Sequence, residues 1–233
     1  MARDRAIPIL MYHRMGSIPS GTLVPGHYVT ANAFERHLRL LKRLGLPTAK
    51  LGSGLQPGTA VITFDDGYQS FVDLAAPVLR ASGDAATVFL VTGLMGQSND
   101  WDAKRGDVVE PLMTWESARQ LAAQGIEFGT HTRTHARLTE SSEDELHQEV
   151  RGSFDDFTAE MGRDPEWFCY PYGAEDERVA ASVKDAGYRG ACSTRKGINT
   201  PSTPPFLLNR INIRSSTTIF RFWHKVWRAS RPL

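Results

Sequence analysis

Two pairs of side chains in this sequence have the types and the spacing for metal chemistry. Asp65 and Asp66 are adjacent, follow the apolar run 60–63, and precede Gly67. His131 and His135 are four residues apart, so in a helical or tight-turn conformation both imidazoles lie on one face. Two imidazoles and a carboxylate are a common ligand set for a catalytic zinc ion with a position left for water. Alone, each pair also fits a plain Asp-Gly turn or two surface histidines. Together they favour a metal site.

Metal-assisted hydrolysis needs a different task for each of the two carboxylates. One completes the metal site, and the other stays off the metal, close to the bound water, and takes its proton. The cation lowers the pKa of that water and polarises the carbonyl under attack. Adjacent residues of a strand point to opposite faces. The chain must therefore leave strand geometry at the aspartates, and Gly67 makes this turn possible.

Short apolar runs alternate with helical patterns along the chain, and these elements must position the site. Such alternation is typical of right-handed βαβ units around a parallel sheet. About six or seven units fit an α/β fold, either an incomplete (β/α) barrel or a doubly wound sheet. We predict strands at 7–12, 60–63, 86–91, 126–129, 167–170, 188–192 and 206–213, and helices at 34–44, 70–82, 114–123, 142–161 and 175–186 before an aromatic C-terminal helix.

The placement of the polar residues favours the barrel over the open sheet. His13, the aspartate pair, the histidine pair and the run Pro171-Tyr172-Gly173 each follow a different predicted strand. In a barrel those strand ends surround one mouth, the usual position of an active site. In an open sheet they would be spread along one edge.

Composition narrows the class of protein. The 233 residues carry 27 basic and 26 acidic side chains, a net charge of +1, which gives no electrostatic reason to expect nucleic acid as a partner. No linker divides the chain, so we interpret 1–233 as a single domain. Two cysteines are too few for a disulfide framework.

The N-terminal sequence gives an expectation for location. Residues 1–5 lead into an apolar run that is too short for a signal peptide or a transmembrane segment. As given, the chain is expected to be cytoplasmic, although removal of an export signal would leave a similar sequence. The oligomeric state stays open.

Three motifs, in order, resemble those of the metal-dependent polysaccharide deacetylases, the NodB-homology or carbohydrate esterase family 4 group. Thr-Phe-Asp-Asp-Gly at 63–67 and His-Thr-Arg-Thr-His at 131–135 are complete, and Cys-Tyr-Pro-Tyr-Gly at 169–173 matches most of the third motif. The likeness extends from about residue 7 to residue 213. The opening Pro-Ile-Leu-Met-Tyr-His-Arg at 8–14 resembles the branch that deacetylates exopolysaccharides such as poly-N-acetylglucosamine.

The resemblance implies a role for each matching residue. The family fold is a distorted (β/α) barrel, and the family acts on N-acetylated sugars, with O-acetyl xylan in some branches. Asp65 matches the catalytic base, and Asp66, His131 and His135 match the metal ligands. Zinc is the expected ion, with cobalt or nickel as alternatives. The backbone N–H of Tyr172 matches an oxyanion donor. We expect substrate contacts from Tyr68, Pro171 and Tyr172.

Two positions depart from the family pattern. Cys169 stands where many members have the arginine that orients the catalytic aspartate, and the late Leu-x-Ile-x-x-His motif that supplies the general acid lacks its histidine at 208–213. We hypothesise that Arg210 reaches Asp65 from a neighbouring strand and that His13 protonates the leaving amine. The alternatives are a structural ion pair for Arg210 and a histidine bonded to loop backbone for His13.

The sequence therefore predicts a metal-dependent hydrolase that removes N-acetyl groups from a glycan. Two rival functions stay open. Relatives of this fold include hydrolases of cyclic amides and ureides. The two departures would also suit a catalytically silent glycan-binding module.

Overall fold

Seven parallel strands form a closed ring in the computed structural model, which describes residues 6–229. Most of these strands are short apolar runs whose residues are buried, as the sequence pattern predicts for parallel strands covered on both faces. The strands, in chain order, are β1 (Ile9–Tyr12), β2 (Arg14–Met15), β3 (Tyr28–Val29), β4 (Thr48–Ala49), β5 (Ala60–Phe64), β6 (Thr87–Leu90), β7 (Glu127–Thr130), β8 (Trp167–Cys169), β9 (Gly190–Lys196) and β10 (Leu208–Asn212).

The order of the strands establishes the barrel. Around the ring it is β1, β10, β9, β8, β7, β6 and β5, and β5 pairs with β1 to close the circle. All of these pairings are parallel, with Leu10 opposite Ile211 on one side of β1 and opposite Ile62 on the other. The expected α/β barrel is confirmed, and it has one strand fewer than the eight of a full (β/α)₈ barrel.

Helices cover the outside of the ring, and polar caps define where several of them begin. Thr30, Thr114 and Asp176 each accept a hydrogen bond from a backbone N–H of the helix that follows. Ser142 and Glu145 form a capping box at the start of the longest helix. The helices are α1 (Ala31–Arg43), α2 (Ala76–Ser82), α3 (Asp100–Ala103), α4 (Trp115–Ala123), α5 (Glu143–Met161), α6 (Glu177–Asp185) and α7 (Ile219–Ala229).

Alternation along each strand separates the barrel interior from the layer under the helices. Ile9 and Val61 pack in an inner cluster with Cys169 and Leu208. Their neighbours Leu10 and Ile62 belong to the outer cluster with residues of the helices. This period of two places Asp65, four residues after Val61, on the inner side at the carboxyl end of β5.

Three segments differ from the predicted elements. The segments 14–30 and 93–111, to which the sequence assigns no helix or strand, contain the pair β2 and β3 and the helix α3, respectively. Strand β9 runs to Lys196, beyond the predicted end at residue 192. Its last three residues are exposed and polar, so the apolar pattern by which a strand is predicted ends before the strand does. The interpretation of residues 1–5 lies outside the described residues. Among residues 6–229 no helix has both the length and the apolar character that a bilayer span needs.

Candidate metal centre and active site

The two aspartates occupy a turn that begins where β5 ends. Asp65 donates its backbone N–H to the carbonyl of Tyr12 at 3.0 Å, which continues the pairing with β1. Asp66 then has φ of 74° and Gly67 has φ of 73°, so the chain leaves strand geometry as predicted. Gly67 also passes close to β6, because a Cβ there would lie 3.0 Å from Leu90 Cδ2. This turn is what allows both carboxylates to face one site.

The histidine pair lies in a tight turn, and not in a helix, after β7. Thr132 and His135 both have left-handed backbone, with φ of 66° and 63°. The hydroxyl of Thr132 accepts the backbone N–H of His135 at 2.9 Å, which closes the turn. Glu149 of α5 accepts the backbone N–H groups of Arg133 and Thr134, each at 2.9 Å. These bonds fix the backbone between the two imidazoles.

Asp66, His131 and His135 bring three ligand atoms together. Asp66 Oδ1 lies 3.4 Å from His131 Nε2 and 3.3 Å from His135 Nε2, and all three side chains are buried. Among the described residues Asp66 Oδ1 has no hydrogen-bond partner, although it is buried. His131 donates its Nδ1–H to the carbonyl of Cys169 at 2.6 Å, which turns Nε2 toward the aspartate. This donor set fits a divalent ion with three protein ligands.

Burial and the two imidazoles have opposite effects on the pKa of Asp66. Burial by itself would raise the pKa of Asp66, but His131 and His135 lower that pKa well below its usual value. The carboxylate is therefore ionised and ready to bind a cation. Cys169 also lies near His131, but burial raises the pKa of its thiol to about 11. A protonated thiol is a poor metal ligand, so the Asp-His-His set is the better candidate for a metal site.

Asp65 is held by Arg210, as the sequence predicted. The guanidinium donates Nη1–H to Asp65 Oδ1 at 2.6 Å and Nη2–H to Oδ2 at 2.8 Å. It also donates to the carbonyl of Ser193 at 2.8 Å and contacts Cys169 Sγ at 3.1 Å. Burial would raise the pKa of Asp65, but the charge and the hydrogen bonds of Arg210 lower it below its usual value. Asp65 is thus an ionised carboxylate beside the metal ligands.

His13 lies at the end of β1 with Nε2 3.8 Å from Asp65 Oδ2. The imidazole of His27 stacks on it, with ring centroids 4.0 Å apart. Burial, together with His27, lowers the pKa of His13 to about 3, so the resting imidazole is neutral. His27 could not be predicted as a site residue, because it lies in the Gly- and Pro-rich segment 14–30 without a motif around it.

A cavity of about 400 Å³ opens over these groups. Tyr172 lines it with φ of 59°, and its ring contacts His135 edge-on at 4.6 Å. Trp101 also lines the cavity and stacks on the imidazole of His135, with ring centroids 4.4 Å apart. Two of the three residues predicted to contact substrate lie outside this cavity. Tyr68 and Pro171 are buried and neither lines the cavity, and the Tyr68 hydroxyl accepts a hydrogen bond from Arg14 instead.

Arg14 organises the loop that carries Trp101. Its buried guanidinium donates to Asp102 at 2.7 Å and to Asp107 at 2.9 Å, and it also bonds the hydroxyls of Tyr28 and Tyr68. The network ties the segment 93–111 to β2 and β3. The network could not be predicted from the sequence, because its members are separated by up to 93 residues and follow no periodic pattern.

The backbone of the site is strained at four positions. Among residues 6–229 the non-glycine residues with positive φ are Asp66, Thr132, His135 and Tyr172. All four lie in the turns that surround the metal ligands. Such conformations are unfavourable for residues with a Cβ and persist where the surrounding structure fixes them. Their concentration here marks these turns as the functional part of the barrel.

This barrel with its Asp-His-His centre and paired carboxylate defines a class of hydrolase, and comparison with known proteins gives the family. The family model for polysaccharide deacetylase matches residues 53–191, more than half of the chain. The chain belongs to the polysaccharide deacetylase family, whose members are hydrolases acting on carbon–nitrogen bonds.

Individual relatives agree with this assignment. YxkH of Bacillus subtilis, provisionally named a polysaccharide deacetylase, is 26% identical over 216 residues, which are 89% of this chain and 71% of that protein. The poly-beta-1,6-N-acetyl-D-glucosamine N-deacetylase of Staphylococcus aureus is 24% identical over 71% of this chain and 57% of its own length. The deacetylase PplD of Streptococcus pyogenes, solved with acetate, shares the fold with a TM-score of 0.81 at 22% identity, over 98% of this chain and all of PplD.

Proposed function

We propose that this protein is a metal-dependent deacetylase that removes N-acetyl groups from a glycan of the N-acetylglucosamine type and releases acetate. The observation that carries the proposal is the convergence of Asp66, His131 and His135 beside a second carboxylate, Asp65, that Arg210 keeps off the metal site. The substrate class is supported by the relative from Staphylococcus aureus, which is named for poly-beta-1,6-N-acetyl-D-glucosamine.

A divalent ion held by the three ligands would supply an activated water and polarise the acetamide carbonyl. Zinc suits a set of two imidazoles and one carboxylate, and cobalt or nickel could replace it. The protein contributes the orientation of the ligands through the His131–Cys169 hydrogen bond and the closed turn between the histidines.

Asp65 is the general base in this proposal. It is buried, ionised and fixed by two hydrogen bonds from Arg210, so an oxygen of its carboxylate is available for one proton of the attacking water. Because Arg210 stays charged, the site contains one compensating cation when Asp65 is ionised. The backbone N–H of Tyr172, in the turn after β8, is the proposed donor to the developing oxyanion.

His13 is the proposed proton donor to the leaving amine. Its resting imidazole is neutral, so the proton that it delivers must be acquired during the reaction. Asp65 Oδ2, 3.8 Å from His13 Nε2, is the nearest acid after it has taken a proton from water. Asp65 and His13 would then pass one proton from the nucleophile to the leaving group, which conserves the charge of the site.

The test is acetate release from a panel of N-acetylated and O-acetylated oligosaccharides after removal of metal by chelation and addition of zinc, cobalt or nickel. We expect activity on N-acetylglucosamine oligomers that is lost with the chelator and restored by metal. The His135→Ala variant should lose both bound metal and activity, while His147→Ala, an exposed histidine on α5, should keep both.

The rival functions predict different results in the same assay. A cyclic-amide hydrolase would open imide or ureide rings and release no acetate. A silent binding module would bind N-acetylglucosamine oligomers and release no acetate with any metal. Either result would refute the deacetylase proposal.

A further inference from the structure

The cavity of about 400 Å³ over Asp65 and the Asp-His-His set is called the catalytic cavity below. A second and larger cavity, of about 770 Å³, lies beside it and is lined by basic side chains. We call it the basic groove. None of the described residues that line it is acidic. Its cationic surface is formed by Lys196 at the end of β9, Arg214 after β10, and Lys225 and Arg228 of α7, with His224 beside them.

Among the described residues, the four cations of the basic groove have no acidic partner. Within residues 6–229, none of Lys196, Arg214, Lys225 and Arg228 forms a salt bridge. The neighbouring Arg195 behaves differently, because it pairs with Glu175 at 2.6 Å. Three of the four, Lys196, Arg214 and Arg228, are exposed.

The positive charges are also close enough to repel one another. Burial lowers the pKa of Lys225, and the charges of Arg214, Lys196 and Arg221 lower it further. The ammonium of Lys225 donates to the backbone carbonyl of Asn212, which holds it at the edge of β10. A concentration of like charge in a chain with a net charge of only +1 is unfavourable by itself. A bound anion would offset this repulsion.

The basic groove borders the catalytic cavity. Lys196 and Asn212 line both. The catalytic cavity is lined by three carboxylates, Asp65, Asp66 and Asp102, and on its other walls by Arg137 and Lys196. An extended ligand that crosses from one to the other therefore meets carboxylates at the metal site and cations beyond Lys196.

We infer that the substrate is an anionic glycan, in which an N-acetylated sugar enters the catalytic cavity while phosphate or carboxylate groups on neighbouring sugars bind the cations of the basic groove. This inference rests on the proposed function and names its substrate more closely. Guanidinium groups such as those of Arg214 and Arg228 suit both anions, because their parallel N–H groups match two oxygens of a phosphate or a carboxylate. A glycan is favoured over a nucleic acid because the basic groove shares Lys196 and Asn212 with the cavity of the proposed deacetylase site.

Binding tests the inference without relying on turnover. The full chain is titrated calorimetrically with a hexasaccharide of alternating N-acetylglucosamine and glucuronic acid, and with the neutral hexamer of N-acetylglucosamine. We expect the charged hexasaccharide to bind at least tenfold more tightly at low ionic strength. That advantage should shrink as salt is added, because salt screens exposed charges.

Matched variants locate the site. Arg214→Gln with Arg228→Gln should weaken binding of the charged hexasaccharide roughly tenfold, because two exposed cations of the basic groove are removed. The control pair Arg80→Gln with Lys184→Gln removes the same charge from α2 and α6, where neither residue lines either cavity, and should leave that affinity unchanged. Arg228→Gln alone, at an exposed position of α7, serves if the double variant does not fold.

Three results would overturn the inference. The first is equal affinity for the charged and the neutral hexasaccharide. The second is an equal loss of affinity in the control pair. The third is equally tight binding of a single-stranded oligonucleotide with the same number of charges.

The outcomes also separate this inference from the proposed function. Acetate release from the neutral hexamer without preference for charge would leave the deacetylase proposal intact and refute the anionic substrate. Tight binding in the basic groove without acetate release from any substrate would refute the deacetylase proposal and, with it, the assignment of the bound glycan as a substrate.

Discussion

Arg210 and Asp65 form a two-point ion pair between side chains that are 145 residues apart in the sequence. The guanidinium is completely buried in the barrel interior and bonds both oxygens of the carboxylate. It reaches this position past Cys169, which contacts it through Sγ at 3.1 Å. The motif resemblance leads one to expect an arginine at the position of Cys169. Here a small residue at that position leaves room for a guanidinium that comes from β10.

Replacing Arg210 should change both stability and the pH dependence of catalysis. Arg210→Met leaves Asp65 buried without a cation, so we expect unfolding to become easier by about 3–5 kcal/mol. Because Arg210 lowers the pKa of Asp65, its loss raises that pKa, and the acidic limb of the kcat/KM profile should move to higher pH. Arg119→Met, in an exposed pair with Glu160, should cost about 0–1 kcal/mol and leave the limb in place. An unmoved limb in Arg210→Met would contradict the role of Asp65 as base.

Replacing His13 separates proton delivery from metal binding. His13→Ala should lower kcat by about 10²–10⁴, the usual contribution of general acid catalysis, while the bound metal stays constant. The reason is that His13 Nε2 faces Asp65 and is not part of the Asp-His-His set. Metal content by elemental analysis and kcat from acetate release are measured on the same sample. A kcat equal to that of the unmodified enzyme would refute the assignment.

Arg14 should be important for the loop that carries Trp101. Arg14→Met leaves the buried carboxylate of Asp107 without its cation, and we expect a loss of about 3–5 kcal/mol in the free energy of unfolding. Loosening of the segment 93–111 should also raise KM, because Trp101 lines the cavity. Lys104→Met changes an exposed charge in the same loop and should have little effect on either quantity. Chemical denaturation and steady-state kinetics measure the two effects, and similar results for both variants would exclude the network.

Gly173 should not tolerate a side chain. Its φ is 66°, and a Cβ would lie 2.0 Å from Thr194 Oγ1, in the wall of the catalytic cavity. Gly83, which ends α2, has nearly the same φ of 67° and no atom within 4 Å of its Cβ position. Gly83→Ala should therefore cost about 1–2 kcal/mol for conformation alone. Gly173→Ala should cost a further ~1–3 kcal/mol from overpacking and lower activity. Equal destabilisation of the two variants would show that the contact with Thr194 relaxes freely.

Much of the fold and the centre of the site could be predicted because their signals are local in the sequence. Buried strands appear as apolar runs, and the metal ligands follow such runs within a few residues. The contact of Arg210 with Asp65 could also be predicted, since the absence of an arginine at position 169 suggests that a cation from a nearby strand takes its place. Its two hydrogen bonds to Asp65 confirm the predicted contact.

The remaining parts depend on contacts that no local pattern encodes. Tyr68 follows the aspartate motif and is predicted from the sequence to contact substrate, but its hydroxyl accepts a hydrogen bond from Arg14. The stacking of His27 on His13 joins two loops whose lengths and compositions predict no contact. The basic groove likewise combines charges from β9, β10 and α7 that are unremarkable one by one.

Closure of the ring through β10 limits how early the barrel can form during synthesis of the chain. β10 lies between β1 and β9, so the barrel remains an open sheet until residues near the C-terminal end of the chain have been synthesised. During that time Asp65 lacks Arg210, and an interior carboxylate without a cation opposes compaction. Docking of β10 thus closes the ring and, at the same time, pairs Arg210 with Asp65, the proposed base. We expect a nascent chain interrupted before residue 208 to have an unclosed sheet and no activity.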